Sequence, residues 1–388
     1  MRTRQLLRSG DVPDRRPDDA FGALSHELRL LVLDVLERER GTEAFGAEQL
    51  PYSELVDRVR AHAPDDPGGD AGNFSYAERS IATQLFYHIG GRDAHSRRKG
   101  PTARDRAHGN DNRFTRRRHS SGMDWRLIPE ERLGGPLAMA LDEVAAETVA
   151  AGGPATVRLY RWTPSTVSLG YGTDAAVVDR AYCSSAGIDV TRRQTGGGAI
   201  YHDASGDVAY SIVAPRSAFP GGVTDCYREL LEPVLAAFEA VGADVSFADA
   251  DAPALWEPLC YLRALDPAHD LVGPDGRKVA GNAQHRTREA VVQHGSLTFE
   301  ADPEAHLAAF VDPPVDADAF ADRVGGLSAL PGVDSDRAAF VEELESALSA
   351  WAGAEAGAWT DAERERAAEL CKRKYADDGW VRGREDPT

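Results

Sequence analysis

The pattern of apolar residues after residue 122 predicts short strands and amphipathic helices. Apolar positions at helical spacing predict helices near 137–148 and 224–241, and Thr360 with Glu363 forms a capping box that begins a third helix, extending to about Tyr375. Strands are predicted at 156–162, 166–172, 188–193, 207–214 and 291–299, with two more in 269–284 around a Gly-Pro-Asp-Gly turn. Since short turns join these strands as often as helices do, the pattern favours an α/β (α+β) fold with a mixed, largely antiparallel sheet packed with helices.

Residues 1–122 differ from the rest of the chain in both pattern and charge. Residues 1–91 contain apolar positions at helical spacing, among them Leu28 and Leu31, and predict a small helical segment. Residues 92–122 carry ten basic and three acidic groups and no aliphatic residue larger than alanine, so they bury too little apolar surface to fold. We therefore expect a helical segment at 1–91, a disordered basic linker at 92–122 and a folded domain at 123–388. The alternative for residues 92–122 is a basic arm that binds nucleic acid.

The chain is strongly acidic and poor in lysine. It has 44 basic and 63 acidic residues and a net charge of −19, and only four of its cations are lysines: Lys99, Lys278, Lys372 and Lys374. An acidic composition that uses arginine in place of lysine is typical of a halophilic archaeon, whose proteins tolerate a large net charge in concentrated salt. Between Arg126 and Cys371 the sequence has one lysine, Lys278, which makes this residue a candidate for a specific role.

Cysteine spacing and hydropathy exclude several classes of protein. The four cysteines form no CxxC pair, which excludes the usual structural zinc spacings and a disulfide framework and favours a reducing cytoplasm. No apolar run approaches the roughly 20 residues needed to cross a bilayer, and no apolar segment of a secretory signal follows the basic start. We therefore expect a cytoplasmic protein with no membrane partner and no metal-binding residues.

Three consecutive glycines after a predicted strand form the first candidate site. The segment is Arg192-Arg193-Gln194-Thr195-Gly196-Gly197-Gly198-Ala199-Ile200-Tyr201-His202-Asp203. Glycines let the backbone approach a ligand closely and leave amide N–H groups for carboxylate or phosphate oxygens, while the two arginines add cationic donors. The segment matches neither a P-loop nor a dinucleotide-binding glycine motif.

Two further segments complete a pattern that resembles a known family. They are Gly276-Arg277-Lys278-Val279-Ala280-Gly281 and the tail Lys374-Tyr375…Gly379-Trp380. With the RRxTGGGxxxHD motif, they resemble the lipoate–protein ligase A family, which has the biotin/lipoate protein ligase fold, over about residues 123–382. The resemblance implies that Lys278 is catalytic, on a hairpin outside the core, where its ammonium stabilises negative charge that develops on an acyl carbonyl or an α-phosphate. It also implies that substrate is bound by Arg192, Arg193, Thr195, Gly196, Gly197, Gly198, His202, Asp203, Gly281 and Asn282.

Cys260 is the second candidate catalytic residue, 18 residues before Lys278. In the related octanoyltransferases that use a cysteine nucleophile, a cysteine precedes the Gly-Arg-Lys segment by a similar distance, and the segments at 281–284 and 293–296 also resemble that branch. A thiolate near Lys278 could take an acyl group from a carrier thioester and pass it to a protein lysine. The alternative is a packing cysteine, the role that we expect for Cys183, Cys226 and Cys371.

The resemblance implies attachment of a lipoyl or octanoyl group, in amide linkage, to one lysine of a lipoyl carrier domain. The partners would be the E2 subunits of 2-oxoacid dehydrogenases or the glycine-cleavage H protein. One route uses ATP and magnesium to make an acyl-adenylate, with a separate accessory ligase chain supplying a missing domain; the other uses a Cys260 acyl-thioester without ATP. Lipoate or octanoate is the acyl group in both, and we expect its chain in a tunnel lined by strands around 157–169 and 207–213.

A different class of function is suggested by the first segment. Residues at about 18–80 resemble the front of an archaeal winged helix-turn-helix domain, but the β-hairpin wing does not follow. The alternative function is therefore a lipoate- or biotin-sensing DNA-binding regulator, with 1–91 as reader and 123–388 as sensor. Because the wing is missing, we expect no DNA binding and expect residues 123–388 to be a self-sufficient enzyme.

Overall fold

The computed structural model describes residues 123–219 and 221–387. The predictions for the helical segment at 1–91 and the basic linker at 92–122 lie outside the described residues. Within residues 123–219 and 221–387, no helix is both long and apolar enough to span a membrane.

The strands and helices of the described residues alternate along the chain. The strands are β1 (Trp125–Leu133), β2 (Ala155–Trp162), β3 (Thr166–Leu169), β4 (Asp189–Arg192), β5 (Ile200–His202), β6 (Asp207–Pro215), β7 (Ser246–Phe247), β8 (Leu271–Val272), β9 (Lys278–Arg286), β10 (Ala290–Thr298) and β11 (Glu355–Ala356). The α-helices are α1 (Gly135–Ala150), α2 (Arg180–Ala186), α3 (Val223–Ala240), α4 (Pro303–Ala308), α5 (Ala317–Arg323), α6 (Arg337–Ala352), α7 (Asp361–Leu370) and α8 (Asp378–Gly383). A short 3₁₀ turn at Cys260–Leu262 and a π turn at Cys371–Tyr375 also matter below.

The strands form one large sheet and one small sheet. The large sheet has the order β11-β1-β2-β6-β10-β9-β8-β7, and the small sheet has the order β4-β3-β5. In the large sheet β1 pairs in parallel with β2 and β11, whereas all other neighbours are antiparallel. The predicted mixed, largely antiparallel sheet packed with helices is therefore confirmed.

Each face of the large sheet is covered by its own hydrophobic core. In β6, Val208, Tyr210 and Ile212 point to one face, and Ala209 and Val213 point to the other, as the two-residue period of a strand requires. On the first face lie α3 and α6, and on the second lie α1, α7 and the small sheet. Polar residues of the strands on the α1 face build the site described below.

The strands and helices predicted from the apolar pattern after residue 122 are present. The capping box is formed, because the Thr360 side chain and the Glu363 backbone and side chain bond reciprocally. Strand β1 was not predicted. Its register shifts between Ile128 and Glu131, next to Pro129, which cannot donate to the ladder. The alternation that signals a strand is therefore interrupted there.

Candidate active site

A pocket of about 530 Å³, including its open mouth, lies on the α1 face of the large sheet. Its apolar end is formed by Met139 of α1, Tyr160 and Trp162 of β2, and Ile200 of β5. Its opposite end is formed around β9, which is separated from β2 by β6 and β10. Three interstrand steps amount to about 14 Å, so the pocket crosses half the width of the sheet.

Most of the residues that line the pocket are buried. Of its lining residues, Gly197, Cys260, His269 and Ala283 are partly exposed and the others are buried. These four residues define the mouth of the pocket. A ligand that enters through the mouth therefore has its far end enclosed among apolar side chains.

The expected tunnel lining is found in part. Tyr160, Trp162 and Ser168 come from the predicted segment at 157–169. Among the described residues, none from 207–213 lines the pocket, and β9 and β10 form that wall instead. The reason is that β6 presents short side chains, such as Ala209, on this face.

Lys278, the first residue of β9, is 3% exposed. Its Nζ forms an ion pair with Asp270 Oδ1 at 2.7 Å and donates a hydrogen bond to the Cys260 carbonyl oxygen at 3.3 Å. Burial lowers the pKa of Lys278, but the charges of Asp270 and of a Cys260 thiolate outweigh it, so that the pKa is raised. The expectation that Lys278 lies outside the core was wrong, because Asp270 compensates the buried charge. Lys278 is held as an ammonium ion.

Cys260 lies at the mouth, at the start of the 3₁₀ turn. A Cβ atom built on Gly281 would lie 3.5 Å from Cys260 Sγ and 3.6 Å from Lys278 Nζ, so the thiol and the ammonium face the same small space above this glycine. A neighbouring ammonium stabilises a thiolate, which is the nucleophilic form of cysteine. The two residues predicted to be catalytic are thus side by side, and Gly281 leaves room between them.

The glycine segment forms a loop whose carbonyl groups face Arg193. Arg193 Nη2 donates to the carbonyl oxygens of Gly196 and Gly198 at 2.9 and 2.7 Å. No hydrogen bond within the described ranges engages the N–H groups of residues 196–198. Gly197 lies at the mouth, and an amide N–H without a partner is a donor for an oxygen atom of a ligand, so the predicted role of this loop in substrate binding stays a prediction.

The same loop packs against the segment that carries Cys260. Ala199 N–H donates to the Pro258 carbonyl and Cys260 N–H donates to the Ala199 carbonyl, both at 2.7 Å. A Cβ atom at Gly198 would lie 2.6 Å from the Pro258 carbonyl oxygen and 2.7 Å from Cys260 N. A side chain at Gly198 would therefore push the thiol away from the loop.

Two hydrogen-bonded chains, which we call the buried polar network, start at Arg193. In the first, Arg193 Nη1 donates to Ser168 Oγ at 3.1 Å, Ser168 lies 2.9 Å from His202 Nε2, and His202 Nδ1 lies 2.7 Å from Asp207 Oδ2. Ser296 Oγ donates to the other Asp207 oxygen at 2.7 Å. All five residues are buried.

The second chain of the buried polar network has the same form. Arg193 Nε donates to Thr195 Oγ1 at 3.1 Å, Thr195 lies 2.6 Å from His294 Nε2, and His294 Nδ1 lies 3.0 Å from Asp142 Oδ2. Asp142 Oδ1 accepts from Arg158 Nη2 at 2.8 Å. Thr195, a predicted substrate-binding residue, therefore acts within the chain that positions the loop.

The two histidines of the network are neutral. Burial lowers the pKa of His202 and of His294, although Asp207 and Asp142 oppose this change. Since a carboxylate can only accept, each Nδ1 carries the proton and each Nε2 accepts from a hydroxyl group. Both ring nitrogens of both histidines are occupied, which leaves neither free for a substrate.

Arg192 does not line the pocket. Its Nη1 donates to the carbonyl oxygens of Gly170, Tyr171 and Thr173, and its Nε donates to that of Val381. Burial, followed by the charge of neighbouring arginines, lowers the pKa of Arg192 to about 10. The guanidinium joins the loop after β3 to the C-terminal tail instead of facing the mouth.

The residues of the tail motif contact Arg192, at the end of β4, and helix α1. Trp380 Nε1 donates to the Arg192 carbonyl at 2.8 Å, and the fully buried Lys374 pairs with Glu143 of α1 at 3.1 Å and with Asp386 at 2.8 Å. Tyr375 donates to Glu143 Oε2 at 2.6 Å. The tail residues therefore hold the strand that leads into the glycine loop.

Two other residues predicted to bind substrate, Asp203 and Asn282, have side chains that are hydrogen-bonded within the protein. Asp203 Oδ1 accepts from the N–H groups of Ser205 and Gly206, both at 2.7 Å, and shapes the turn after β5. Asn282 lines the pocket, but its side chain accepts from Tyr210 at 2.7 Å and donates to the His269 carbonyl at 2.8 Å.

The sequence motifs do not indicate five further residues of the site: Ser168, Asp142, Asp270, His269 and His294. A signal existed for two of them. His294 interrupts an apolar strand, and a buried strand with apolar neighbours on both sides makes a polar residue conspicuous. Asp142 lies in an amphipathic helix next to its apolar stripe. Asp270 and His269 carry no such signal, because they lie in a loop.

The comparisons with known proteins match the part of the chain that contains the pocket. The family model described as the lipoyl protein ligase A/B catalytic domain matches residues 135–349. The octanoyltransferase LipM of Kyrpidia tusciae is 34% identical over 273 residues, which cover 66% of this chain and 97% of that protein. The octanoyltransferase LipM of Halalkalibacterium halodurans is 28% identical over 273 residues, 66% of this chain and 98% of that protein.

Solved structures share the fold. A bi-partite lipoate protein ligase from Thermoplasma acidophilum, described with its E2 lipoyl domain, is 25% identical with a TM-score of 0.56, covering 69% of this chain and 99% of that chain. A lipoate-protein ligase A bound with ATP is 24% identical with a TM-score of 0.56, covering 67% and 99%.

Proposed function

Because the chain belongs to the lipoyl protein ligase A/B catalytic domain family, we propose that it acts in protein lipoylation as an octanoyltransferase. It takes an octanoyl group, or a lipoyl group, from a carrier thioester onto Cys260 and passes it to a lysine of a lipoyl domain. The observation that carries this proposal is the shared space of Cys260 Sγ and Lys278 Nζ above Gly281, at the mouth of a pocket with a closed apolar end.

The acyl chain lies in the apolar end of the pocket, between Met139, Tyr160 and Trp162. Burial of each methylene there contributes about 0.8 kcal/mol. This placement brings the thioester carbonyl to Cys260 and leaves the bulky carrier outside the mouth. Octanoyl and lipoyl chains share the same carboxyl end, so both meet the same catalytic groups.

In the first half of the reaction the Cys260 thiolate attacks the thioester carbonyl carbon. The oxygen of that carbonyl becomes negative and is stabilised by the Lys278 ammonium and by the unpaired amides of the loop at 196–198. The carbon–sulfur bond to the carrier breaks, and the carrier leaves as a thiol after it takes up a proton. Arg193 keeps the loop carbonyls turned away from this charge.

The acceptors proposed are lipoyl domains of E2 subunits of 2-oxoacid dehydrogenases and the glycine-cleavage H protein, and the proposed compartment is the cytoplasm. The likeness to a bi-partite ligase with its E2 lipoyl domain supports an E2 acceptor. It also favours a second candidate route, in which ATP, magnesium and a separate accessory chain activate lipoate. In the described residues no group of three or more His, Cys, Asp or Glu side chains could hold a metal ion.

The test incubates the full chain with a lipoyl domain and one of two donors, and weighs the lipoyl domain by mass spectrometry. We expect one octanoyl group on the lipoyl domain with an octanoyl-carrier thioester in the absence of ATP. Labelling only with lipoate plus ATP and magnesium would assign the ligase route, and no labelling with either donor would refute the proposal.

Cysteine variants check the route in the same assay. Cys260→Ser should abolish transfer from the thioester, because a serine hydroxyl is a much weaker nucleophile than a cysteine thiolate. Cys371→Ser is the matched control, since Cys371 is also partly exposed but lies in the π turn, away from the pocket. Transfer by Cys260→Ser at the rate of the control would contradict the thioester route.

A further inference from the structure

Tyr261, the residue that follows Cys260, is 1% exposed and does not line the pocket. Both residues belong to the 3₁₀ turn Cys260–Leu262, so a shift of one moves the other. Cys260 is partly exposed at the mouth, whereas Tyr261 extends into the protein. A large buried side chain next to a nucleophile limits where the thiol can lie.

The hydroxyl group of Tyr261 is bonded to two residues of β10. Its oxygen lies 3.0 Å from Ser296 Oγ and 2.7 Å from Thr298 Oγ1, and because burial raises the pKa of Tyr261 the group keeps its proton. Ser296 gives its own proton to Asp207, so Tyr261 donates to Ser296, and Thr298 in turn donates to Tyr261. This chain of hydroxyl groups ends on a carboxylate of the buried polar network. It ties the turn that carries Cys260 to that network.

The ring of Tyr261 contacts the second catalytic group. Lys278 Nζ lies over the ring, 5.8 Å from its centroid, within the range of a cation–π interaction. Phe320 of α5 and His306 of α4 pack against the same ring, with centroids 6.3 and 5.5 Å away. Because its hydroxyl group is bonded as well, the ring is held along its whole length. Tyr261 therefore meets the ammonium through its ring and the thiol through the turn that they share.

We propose that Tyr261 is a positioning residue, which holds the Cys260 thiol beside the Lys278 ammonium through its hydroxyl group and its ring. This inference rests on the proposed octanoyltransferase function. Because Tyr261 does not line the pocket, its loss should not weaken binding of the acyl chain. It should slow the chemical step, since a reacting group displaced by about 1 Å can lose about 100-fold in rate.

The test removes the hydroxyl group and keeps the ring, in the full-length Tyr261→Phe variant. The rate of octanoyl adduct formation is measured by intact mass at increasing concentrations of an octanoyl-carrier thioester. We expect the maximal rate to fall about tenfold, because the ring still limits the displacement, with the donor concentration at half-maximal rate unchanged. The matched control is Tyr201→Phe, which should react at the wild-type rate. Tyr201 is buried, donates to Asp203 at 3.2 Å and also packs on His306, but it does not contact the turn at Cys260–Leu262 through any hydrogen bond of the described residues.

A second variant checks whether the hydrogen bonds to β10 carry the effect. Thr298→Val removes the hydroxyl group that donates to the Tyr261 oxygen, and it should also slow adduct formation. The double variant Tyr261→Phe with Thr298→Val should be no slower than Tyr261→Phe alone, because both changes break one chain of hydrogen bonds. Effects that add would show that the two residues act separately and would overturn the proposal.

Alkylation tests the position of the thiol without an acyl donor. Cys260 and Cys371 are both partly exposed, so peptide mass can follow the labelling of each by iodoacetamide. We expect slower labelling of Cys260 in Tyr261→Phe than in wild type, and equal labelling of Cys371 in the two proteins. A wild-type maximal rate in Tyr261→Phe, a raised donor concentration at half-maximal rate, or equal labelling of Cys260 would overturn the proposal. A wild-type protein that is labelled at Cys260 but forms no octanoyl adduct would instead refute the octanoyltransferase function itself.

Discussion

The mouth of the pocket and the buried polar network beneath it both contain histidines, but the polar atoms of the two regions differ in how completely they are hydrogen-bonded. In the network every ring nitrogen of His202 and His294 is bonded, and Arg193 donates to the loop and to both chains. At the mouth, Cys260 Sγ and His269 Nε2 make no hydrogen bond to any described residue. Groups whose bonding is complete hold the shape of the site, and groups with open bonding positions near solvent are able to react.

This difference predicts two classes of variant. Changes in the network should lower the stability of the fold and should affect turnover through the position of the glycine loop. Changes at the mouth should lower turnover and leave the free energy of unfolding nearly unchanged, except where they expose a buried partner.

The largest expected effect is on stability, in Asp142→Asn. Asp142 pairs with the fully buried Arg158 and accepts from His294, and removing one partner of a buried ion pair costs about 3–5 kcal/mol. Denaturant unfolding should show this loss, whereas the octanoyl transfer rate of the folded protein should fall much less than in mouth variants. The matched control is Asp251→Asn, at an exposed position. An Asp142→Asn variant as stable as the control would show that the buried polar network does not stabilise the fold.

The next effect is on turnover, in Lys278→Ala. Loss of one charge that stabilises an oxyanion lowers the rate about 100- to 1000-fold. Because Asp270 would be left buried without a partner, the double variant Lys278→Ala with Asp270→Asn separates chemistry from folding. The double variant should be folded and should transfer the octanoyl group as slowly as Lys278→Ala. Lys372→Ala, at an exposed lysine, should transfer at the wild-type rate, and a double variant as fast as this control would contradict the role of Lys278.

A smaller effect is the dependence of stability on pH. Burial lowers the pKa of His202 and His294 and lowers the pKa of His306 to about 4. In the unfolded chain these residues protonate near pH 6.5, so stability is complete above about pH 6.5 and is lost as the pH falls toward 4. The unfolding midpoint measured between pH 7.5 and 4.5 should therefore decrease. His306→Phe should show a shallower decrease than wild type. A flat profile for the wild-type protein would show that these histidines are not neutral.

The smallest effect is expected on removal of residues 1–122. All residues of the mouth and of the buried polar network belong to the range 123–387, so we propose that a chain starting at Met123 keeps both. Thermal unfolding and octanoyl transfer of the two chains should agree in high salt. A clear drop in the midpoint or in activity would show that the first 122 residues contribute to the enzyme. Specific DNA binding that is lost on truncation would support the regulator alternative.

The sequence predicts the fold and the reacting pair better than it predicts the partners of each group. Periodicity locates β6, β10 and α3, and motifs locate Cys260 and Lys278, because each signal lies in neighbouring residues. Asp270 and His269 could not be assigned to the site from neighbouring residues, because their positions depend on how the loop that contains them packs against β9. The burial of Lys278 also depends on that loop.

The arginine pair shows a second limit. Arg192 and Arg193 look alike in sequence, yet Arg193 holds the glycine loop and Arg192 joins the loop after β3 to the tail. Their side chains point apart because successive residues of a strand face opposite sides. The motif alone does not show which face meets the pocket, so it assigned both to the substrate.

The central claim is that Cys260 carries the acyl group at the mouth, and the most direct measurement is the intact mass of the protein after incubation with an octanoyl-carrier thioester and no acceptor. We expect the mass to increase by one octanoyl group, located on the peptide that contains Cys260 and absent from Cys260→Ser. An unmodified protein that still transfers octanoyl to a lipoyl domain, or an octanoyl group on another residue, would contradict it.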